Sequence, residues 1–106
     1  VLDNIPVIVF LLNNFSLGMV AQWQRTFYER RMIGIDLKNF PDYVKLAESY
    51  GAQGIRAQSL DELEKAIKTG LSSDVTTVID IPIDPEEDVL PFVAPGTSLK
   101  EMILPS

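Results

Sequence analysis

The sequence predicts an α/β fold in which a largely parallel sheet is flanked by helices, and three observations support this. Candidate strands and segments of helical spacing follow one another in the order strand, helix, helix, strand, helix, strand. The first candidate strand, residues 5–12 (IPVIVFLL), is a continuous apolar run, as is typical of parallel strands covered on both faces. The chain has 106 residues, of which 46% are hydrophobic, so it fits one domain and can bury a core.

Two further strands are predicted at residues 54–57 (GIRA) and 76–83 (TTVIDIPI). The first of these is short. The second is rich in β-branched residues and is closed by Pro82 and Pro85, which cannot donate to a ladder. Both lie at spacings that leave room for helical connections, which parallel strands require.

Three helices are predicted from apolar residues that recur at helical spacing. Their stripes are Val20, Trp23 and Phe27; Tyr43, Leu46, Ala47 and Tyr50; and Leu60, Leu63, Ile67 and Leu71. For the second helix, Pro41 is placed to start it and Gly51 to end it. For the third, Ser59 and Glu62 match a capping box, and Glu64 with Lys68 forms an i, i+4 pair.

The periodic pattern ends at Asp84, so residues 1–84 form the predicted domain and residues 85–106 a tail. Four prolines interrupt this tail, at positions 85, 91, 95 and 105. Because proline lacks an N–H group, we expect an extended segment with few internal contacts, laid over a neighbouring surface. The chain also starts almost directly in its first strand, and we therefore expect it to be a piece of a longer protein.

Composition excludes several classes of function for this chain. A formal net charge of −6 argues against binding to nucleic acid or to an anionic membrane surface. The absence of cysteine and histidine excludes thiol chemistry, histidine-based triads and histidine-ligated metals. The longest apolar run, residues 7–12, is too short to span a bilayer and has no basic flank, so no membrane or targeting segment is expected.

Two adjacent asparagines, Asn13 and Asn14, follow the first strand and precede the first helix. Asparagine is unfavourable inside strands and helices, so the pair needs a turn, a cap or a ligand to explain it. Ligands of α/β sheets bind beyond the carboxyl ends of strands, where an amide oxygen suits Mg²⁺ that is shared with phosphates. A helix starting near Gly18 would add free N–H groups. The residues alone favour the turn and leave the metal–diphosphate site as the alternative.

The stretch LLNNFSLGMVAQWQRTFYERR, residues 11–31, resembles the signature of the catalytic subunits of acetolactate (acetohydroxyacid) synthases, which are thiamine-diphosphate enzymes. The likeness continues in residues 42–67 (DYVKLAESYGAQGIRAQSLDELEKAI) and 78–103 (VIDIPIDPEEDVLPFVAPGTSLKEMI). It therefore covers nearly the whole chain. It implies that the fold is the second half of a thiamine-diphosphate-binding domain.

The resemblance also implies roles for individual residues. It assigns a Mg²⁺ ligand to the amide of Asn14 and a second to the backbone carbonyl of Ser16. The stretch implied to bind the cofactor comprises Asn14, Ser16, Leu17, Gly18 and Met19. The residues implied to line the substrate channel are Met19, Val20 and Trp23. These last three also fit an ordinary core stripe, and residues 28–31 (YERR) also fit a charged helix end.

The family's Gly-Asp-Gly element does not occur in the sequence, and with it the acidic Mg²⁺ ligand is missing. The activating glutamate and the FAD-binding domain of the family are also outside the chain, so no catalytic residue is assigned here. We expect residues 1–106 alone to be inactive.

The implied reaction is decarboxylation of pyruvate and ligation of the two-carbon unit to pyruvate or 2-ketobutyrate, in branched-chain amino acid biosynthesis. The resemblance implies a homo-oligomer of catalytic subunits, with a regulatory small subunit as a further partner, in the cytoplasm or an organelle. Two alternatives stay open at this point. One is another thiamine-diphosphate carboligase or 2-keto acid oxidase, and the other is a non-catalytic α/β interaction module.

Overall fold

Three strands, three α-helices and one short 3-10 helix follow one another in the computed structural model, which describes residues 1–106. Their bounds are β1 (Ile8–Asn13), α1 (Gly18–Phe27), α2 (Tyr43–Ser49), β2 (Gln53–Arg56), α3 (Leu60–Leu71), β3 (Thr77–Pro82) and a 3-10 helix (Leu99–Glu101). The predicted order of strands and helices is confirmed. The first strand begins later than predicted and extends through Asn13.

The sheet is parallel throughout, with strand order β1-β3-β2. Its central strand β3 pairs with β1 from Ile8 opposite Thr77 to Asn13 opposite Pro82. On its other side, β3 pairs with β2 from Gln53 opposite Thr77. All three strands therefore end at the same edge, which brings the residues that follow β1 close to those that follow β2. The α/β class with a parallel sheet is confirmed.

The buried core lies between α3 and the sheet. Its fully enclosed members are Ala57, Ala66 and Ile79. Partly buried apolar residues surround them, namely Ile8, Ile55, Leu63, Ile67 and Ile81. Gly70 lets α3 approach β1 closely, because a Cβ there would lie 3.0 Å from Cδ1 of Ile8.

Helices α2 and α3 begin at side-chain caps. Asp42 caps α2 by accepting from the amides of Val44 and Lys45, so Pro41 precedes the cap rather than starting the helix. Ser59 caps α3 by accepting from the amide of Glu62. The reciprocal bond of a capping box is displaced by one residue, because Glu62 accepts from the amide of Gln58. Gly51 ends α2 in the left-handed region, with φ of 79°, as its sequence position predicts.

One prediction about β1 is wrong in this chain: the strand is not covered on both faces. It is an edge strand, and Val9, Phe10 and Leu12 are 44%, 48% and 63% exposed. The physical reason is that α2 and α3 cover only part of the sheet, while α1 turns away toward the C-terminal residues. The molecule is accordingly elongated, with extents of 48 × 29 × 29 Å. None of its helices is long and apolar enough to cross a membrane.

Residues 85–106 have more internal structure than the predicted tail. The amide and carbonyl of Phe92 pair with those of Ile103 in an isolated antiparallel bridge. The 3-10 helix lies inside the loop that this bridge closes, and at its start the Glu101 carboxylate accepts from both the amide and the hydroxyl of Ser98. The segment is also bound from α1, where the side chain of Gln22 pairs with both backbone groups of Val89. An extended tail that lies over a neighbouring surface stays a prediction. A separate unit beginning at residue 85 stays a prediction.

Candidate functional site

The two asparagines after β1 both form turns with the backbone that follows. Asn13 is buried, and its Oδ1 accepts from the amide of Phe15 at 3.0 Å. Asn14 repeats the arrangement one residue later, where its Oδ1 accepts from the amide of Ser16 at 3.1 Å. Neither asparagine caps α1, because the N-cap position is Leu17 and has no side-chain bond. A carbonyl oxygen has two lone pairs, so the turn formed by Asn14 leaves one free for a further bond.

The loop that carries these turns is held in a fixed shape. Phe15 has a φ of 54°, a left-handed conformation that a side chain seldom adopts without support. That support comes from residues 35–37, to which the loop is joined by two backbone bonds of 2.9 Å. The amide of Leu17 donates to Ile35, and the amide of Leu37 donates to Phe15. Ser16 and Asp36 are thereby paired in a short antiparallel bridge.

Backbone groups at the start of α1 are left without partners inside the chain. The first bond of the helix runs from the amide of Ala21 to the carbonyl of Leu17 at 2.9 Å. The amides of residues 18–20 therefore have no acceptor in the helix, and no side chain caps them. The carbonyl of Ser16 also receives no backbone amide, and the Ser16 hydroxyl is buried without a partner. A row of free N–H groups beside free oxygens can bind an anion together with its cation.

Gly18 allows Asn14 to lie against the first turn of α1. A Cβ at position 18 would lie only 2.5 Å from Nδ2 of Asn14. Any larger residue would therefore displace the Asn14 amide or the turn that it forms. The sequence included Gly18 in the cofactor-binding stretch, and this contact gives a physical reason for a glycine there.

The donor set at this loop fits Mg²⁺ only as part of a larger site. Asn14 and the Ser16 carbonyl provide neutral oxygen atoms, which suit a hard cation. The chain contains no group of three or more His, Cys, Asp or Glu side chains that could hold a metal ion alone. Mg²⁺ bound here would therefore need the oxygens of a diphosphate and an acidic ligand in addition. The residues fit a cation that arrives with a phosphate group.

A polar network that the sequence reasoning missed lies at the same edge of the sheet. Asp80, on the central strand, is 2% exposed, and its Oδ1 accepts from Nδ2 of Asn13 at 3.1 Å. Its Oδ2 lies 3.3 Å from Nε of Arg56, whose Nη2 donates to Asp42 at 3.0 Å. The network ties the asparagine loop to all three strands and to the start of α2. A single acid inside the apolar run TTVIDIPI was the available signal, because buried charges are almost always paired.

Charge pairing shifts two pKa values in this network. The hydrogen bond from the amide of Lys45, together with the charge of Arg56, lowers the pKa of Asp42. The hydrogen bond to Asp80 raises the pKa of Arg56 further above its already high value. Asp42 and Arg56 are therefore ionised near neutral pH, and their pairing helps to fix the geometry of the loop.

The three residues predicted to line a substrate channel are brought together on one face of α1. Met19, Val20 and Trp23 line an open hollow of about 580 Å³. Four residues that the sequence reasoning did not assign complete its lining, namely Gln24, Tyr28, Arg31 and Ile33. Tyr28 and Arg31 belong to the stretch that also fitted a charged helix end. In the structure α1 ends at Phe27, and the following residues turn back to form the wall of the hollow.

Trp23 combines packing with exposure to the hollow. Its indole contacts Phe27 edge-on at 6.0 Å between ring centroids and Phe92 of the tail at 6.3 Å. Its Nε1 is buried and has no hydrogen-bond partner. The core interpretation of this residue is therefore incomplete, because a packed indole normally finds an acceptor for its N–H group.

Residues 1–81 match the family described as "Thiamine pyrophosphate enzyme, C-terminal TPP binding domain". The chain is also similar to named acetolactate synthases. It is 42% identical to a probable large subunit from Methanocaldococcus jannaschii, over 96% of the chain and 17% of that protein. It is 42% identical to a large subunit from Haemophilus influenzae, over 94% of the chain and 18% of that protein. It is 40% identical to a mitochondrial catalytic subunit from Saccharomyces cerevisiae, over 92% and 14%.

A solved structure supports the fold. The chain aligns with the thiamine-diphosphate-dependent 4-hydroxybenzoylformate decarboxylase of Rhodococcus jostii RHA1, with a TM-score of 0.71 and 28% identity. The alignment covers 78% of this chain and 16% of that one. The chain thus spans about a sixth of the length of the proteins that it matches. By the family match over residues 1–81, the chain belongs to the thiamine pyrophosphate enzymes and contains their C-terminal TPP-binding domain.

Proposed function

We propose that the protein carrying this chain is an acetolactate synthase that depends on thiamine diphosphate. It would decarboxylate pyruvate and join the two-carbon unit to pyruvate or 2-ketobutyrate, in branched-chain amino acid biosynthesis. The observation that supports this is that α1 combines two features. Its first turn presents amides without acceptors, and one of its faces lines an apolar hollow. The identity of about 40% to named acetolactate synthases adds support.

In this proposal the loop and the first turn of α1 hold the diphosphate end of the cofactor. Oδ1 of Asn14 and the carbonyl of Ser16 bind Mg²⁺, and the segment from Leu17 through Gly18 to Met19 faces the phosphate oxygens. When bound, thiamine diphosphate supplies the nucleophilic carbon and the electron sink for decarboxylation. The chain orients the cofactor, and its apolar hollow excludes water. It contributes no general acid or base, and the acidic Mg²⁺ ligand and any FAD site belong to other sequence.

Met19, Val20 and Trp23 form the wall against which the second 2-keto acid is selected. An apolar wall of this kind distinguishes substrates by the volume of their alkyl groups, at about 1–3 kcal/mol per methylene. Pyruvate and 2-ketobutyrate differ by one methylene. The size of the indole of Trp23 therefore sets how much room the longer acid has.

The names of the relatives also bear on assembly and location. Several are named large subunits, and this supports a smaller partner subunit. We propose with it an oligomer of catalytic subunits. Relatives named as mitochondrial and chloroplastic support an organellar location as an alternative to the cytoplasm. We include both features in the proposal.

A second candidate is a thiamine-diphosphate decarboxylase of an aromatic 2-keto acid. It is favoured by the structural likeness to the 4-hydroxybenzoylformate decarboxylase, although the identity there is only 28%. The product distinguishes the candidates, because a decarboxylase releases an aldehyde whereas a synthase releases a longer hydroxy-keto acid. Incubation of the purified enzyme with pyruvate and, separately, with an aromatic 2-keto acid, followed by analysis of the products, decides between them.

Asn14→Ala in the intact enzyme tests the cofactor site. We expect weaker binding of thiamine diphosphate and Mg²⁺ by calorimetry, with partial rescue of activity at excess of both, by mass action. Asn39→Ala, at an exposed asparagine whose side chain makes no bond to the loop, is the matched control. Unchanged cofactor affinity with a normal fold would leave Asn14 as a turn former only. No binding by the unmodified enzyme would favour a non-catalytic module.

Trp23→Leu tests the acceptor wall. We expect the ratio of the products from pyruvate and 2-ketobutyrate in competition to change more than the thermal stability does. Tyr50→Leu, at a residue that is 73% exposed, is the control for loss of an aromatic side chain. A large loss of stability with an unchanged product ratio would show that Trp23 is a packing residue.

A further inference from the structure

The two glutamines that flank Trp23 each bind one residue of another segment through both atoms of their amide. Gln22 donates from Nε2 to the carbonyl of Val89 at 3.1 Å, and its Oε1 accepts from the amide of Val89 at 3.0 Å. Gln24 donates from Nε2 to the carbonyl of Ile33 at 2.9 Å, and its Oε1 accepts from the amide of Ile33 at 3.1 Å. A primary amide can do this because its donor and acceptor lie side by side, as in a peptide group.

The helix directs these two amides to different sides of the indole. Residues two apart on an α-helix are separated by roughly 200° around its axis, since each residue adds about 100°. Gln22 therefore binds the tail on one side of α1, and Gln24 binds the loop after α1 on the other. Trp23 lies between them in the sequence. Helix α1, the loop that follows it and the tail are thus held together around the side chain of Trp23.

Each bound segment carries a residue that touches Trp23 or its hollow. On the tail side, Phe92 follows Val89 by three residues and lies 6.3 Å from the indole between ring centroids. On the loop side, Ile33 itself lines the hollow together with Trp23. Releasing either segment would change the surroundings of the indole without changing the indole itself.

The tail contact is built as a buried site rather than a surface encounter. Gln22 is only 3% exposed. The neighbouring side chain of Arg25, which is also largely buried, pairs with Asp88 directly before Val89. Arg30 extends the contact to Glu86 at 2.8 Å, at an exposed position. Since an unpaired buried amide is costly, Gln22 strongly favours the docked tail.

We propose that Gln22 and Gln24 are positioning residues for selection of the second 2-keto acid, an inference that rests on the proposed function of Trp23. Gln22 holds the tail so that Phe92 supports the indole. Gln24 holds the loop so that Ile33 stays in the wall of the hollow. The width of the hollow, and therefore the choice between acceptors, depends on both amides as well as on the indole.

The test uses Gln22→Glu and Gln24→Glu in the intact enzyme. A carboxylate keeps the acceptor and removes the donor, so it repels the carbonyl that the amide bound. By hydrogen–deuterium exchange we expect about tenfold faster exchange in residues 86–92 for the first variant and in residues 31–35 for the second. Each variant should also shift the product ratio from competing pyruvate and 2-ketobutyrate severalfold, with unchanged affinity for thiamine diphosphate. Gln58→Glu, an exposed glutamine whose side chain binds neither segment, is the matched control.

A second variant removes the tail contact from the other partner, in case Gln22→Glu does not fold. Val89→Pro removes the backbone N–H group that donates to Oε1 of Gln22. Val89 is 59% exposed, and the change leaves the sequence of α1 intact. It should reproduce the shift in product ratio.

Faster exchange with an unchanged product ratio would overturn the proposal and leave the proposed function intact. Unchanged exchange in both segments would overturn it as well. An unchanged ratio in Trp23→Leu would instead contradict the proposed function, which the glutamine variants alone do not address.

Discussion

The half of the molecule around α3 and the half around α1 differ in how far their apolar side chains are buried. Around α3, Leu63 and Ile67 pack on the sheet beside the enclosed Ala66 and Ile79, and only the end residues Leu60 and Leu71 stay exposed. Around α1, Met19, Val20 and Phe27 are between 43% and 48% exposed. The first half is held by burial. The second is held by side-chain amides and ion pairs that bind distant backbone, and it leaves apolar surface open where we propose that substrate binds.

This difference shows that apolar residues at the same helical spacing can form a packed core in one helix and line an open hollow in another. The stripe on α3 predicts a core, and the structure packs its middle residues, Leu63 and Ile67, against the enclosed core. Its end residues, Leu60 and Leu71, stay exposed. The stripe on α1 would predict a core equally well, yet it lines a hollow and contacts the tail. What distinguishes the two is the polar residues between the apolar ones. Gln22 and Gln24 bind the backbone of other segments, whereas the polar side chains of α3 bind only residues of α3 or of its N-terminus.

The largest effect that separates the halves is expected from Ile79→Ala. Ile79 has no exposed surface, so the truncation leaves a cavity and should lower the free energy of unfolding by about 2–5 kcal/mol. Val9→Ala, on the exposed edge strand, should cost much less because the side chain is 44% exposed. Urea denaturation measures both. Equal losses would mean that the edge strand is as well packed as the centre of the sheet.

Gly18→Ala in the α1 half is expected to have a smaller effect, and to lower cofactor affinity rather than stability. The new Cβ would meet Nδ2 of Asn14 at 2.5 Å, so the amide must move from its position. We expect about tenfold weaker binding of thiamine diphosphate, or about 1.4 kcal/mol. Stability should be unchanged or higher, because alanine is the better helix former.

The matched control for that change is Gly70→Ala on α3, where the Cβ would meet Ile8 at 3.0 Å. There we expect a loss of stability and no loss of cofactor affinity. If Gly18→Ala left cofactor binding unchanged, the position of the Asn14 amide would not matter for the site.

Ser59→Ala should affect only the α3 half. The Ser59 hydroxyl caps α3 at 3.2 Å from the amide of Glu62, and loss of such a cap costs about 1 kcal/mol. Thermal unfolding should show this loss, while calorimetry with thiamine diphosphate should show no change. Ser72→Ala, at the other end of α3, is the control. A change in cofactor affinity would show that the two halves are coupled more tightly than their contacts indicate.

The sequence predicted most where residues act on near neighbours. The order of elements, the Ser59 cap and the pairing of Glu64 with Lys68 at 2.7 Å all follow from residues no more than a few positions apart. It also placed Met19, Val20 and Trp23 together, and in the structure these residues line one hollow. Their role in a substrate channel stays a prediction. These features need no knowledge of the tertiary fold.

The contacts that the sequence did not predict join distant residues. The bond from Asn13 to Asp80 and the bonds from Gln22 to Val89 each span 67 residues. A single amide or carboxylate does not form a periodic pattern, so the neighbouring sequence does not indicate which distant residue it binds. The same limit explains why the residues of α1 that bind the tail were not predicted, although the tail was expected to lie over a neighbouring surface. The apolar run of β1 predicted burial that no other part of this chain supplies.

The smallest effect expected is a dependence of stability on acid at Asp42, where the two halves meet. Asp42 caps α2 and pairs with Arg56 at 3.0 Å, and Arg56 pairs in turn with Asp80 below the asparagine loop. The backbone bond from Lys45 and the charge of Arg56 lower the pKa of Asp42 in the folded protein. A lowered folded pKa contributes stability that is present above the unfolded pKa and is lost as the pH falls through the folded value. This contribution to the free energy of unfolding is therefore expected to be lost below about pH 4.

Asp42→Asn isolates this contribution, since asparagine caps a helix about as well as aspartate but has no charge to pair with Arg56. Thermal unfolding between pH 3 and pH 6 should show a shallower fall for the variant than for the unmodified protein, roughly over the range in which an aspartate titrates. Glu101 has a pKa lowered by its bonds to Ser98 and retains its acid dependence in both proteins. Asp74→Asn, at an exposed carboxylate, is the control. Parallel curves for Asp42→Asn and the unmodified protein would show that the charge of Asp42 does not join the α2 cap to the loop of the cofactor site.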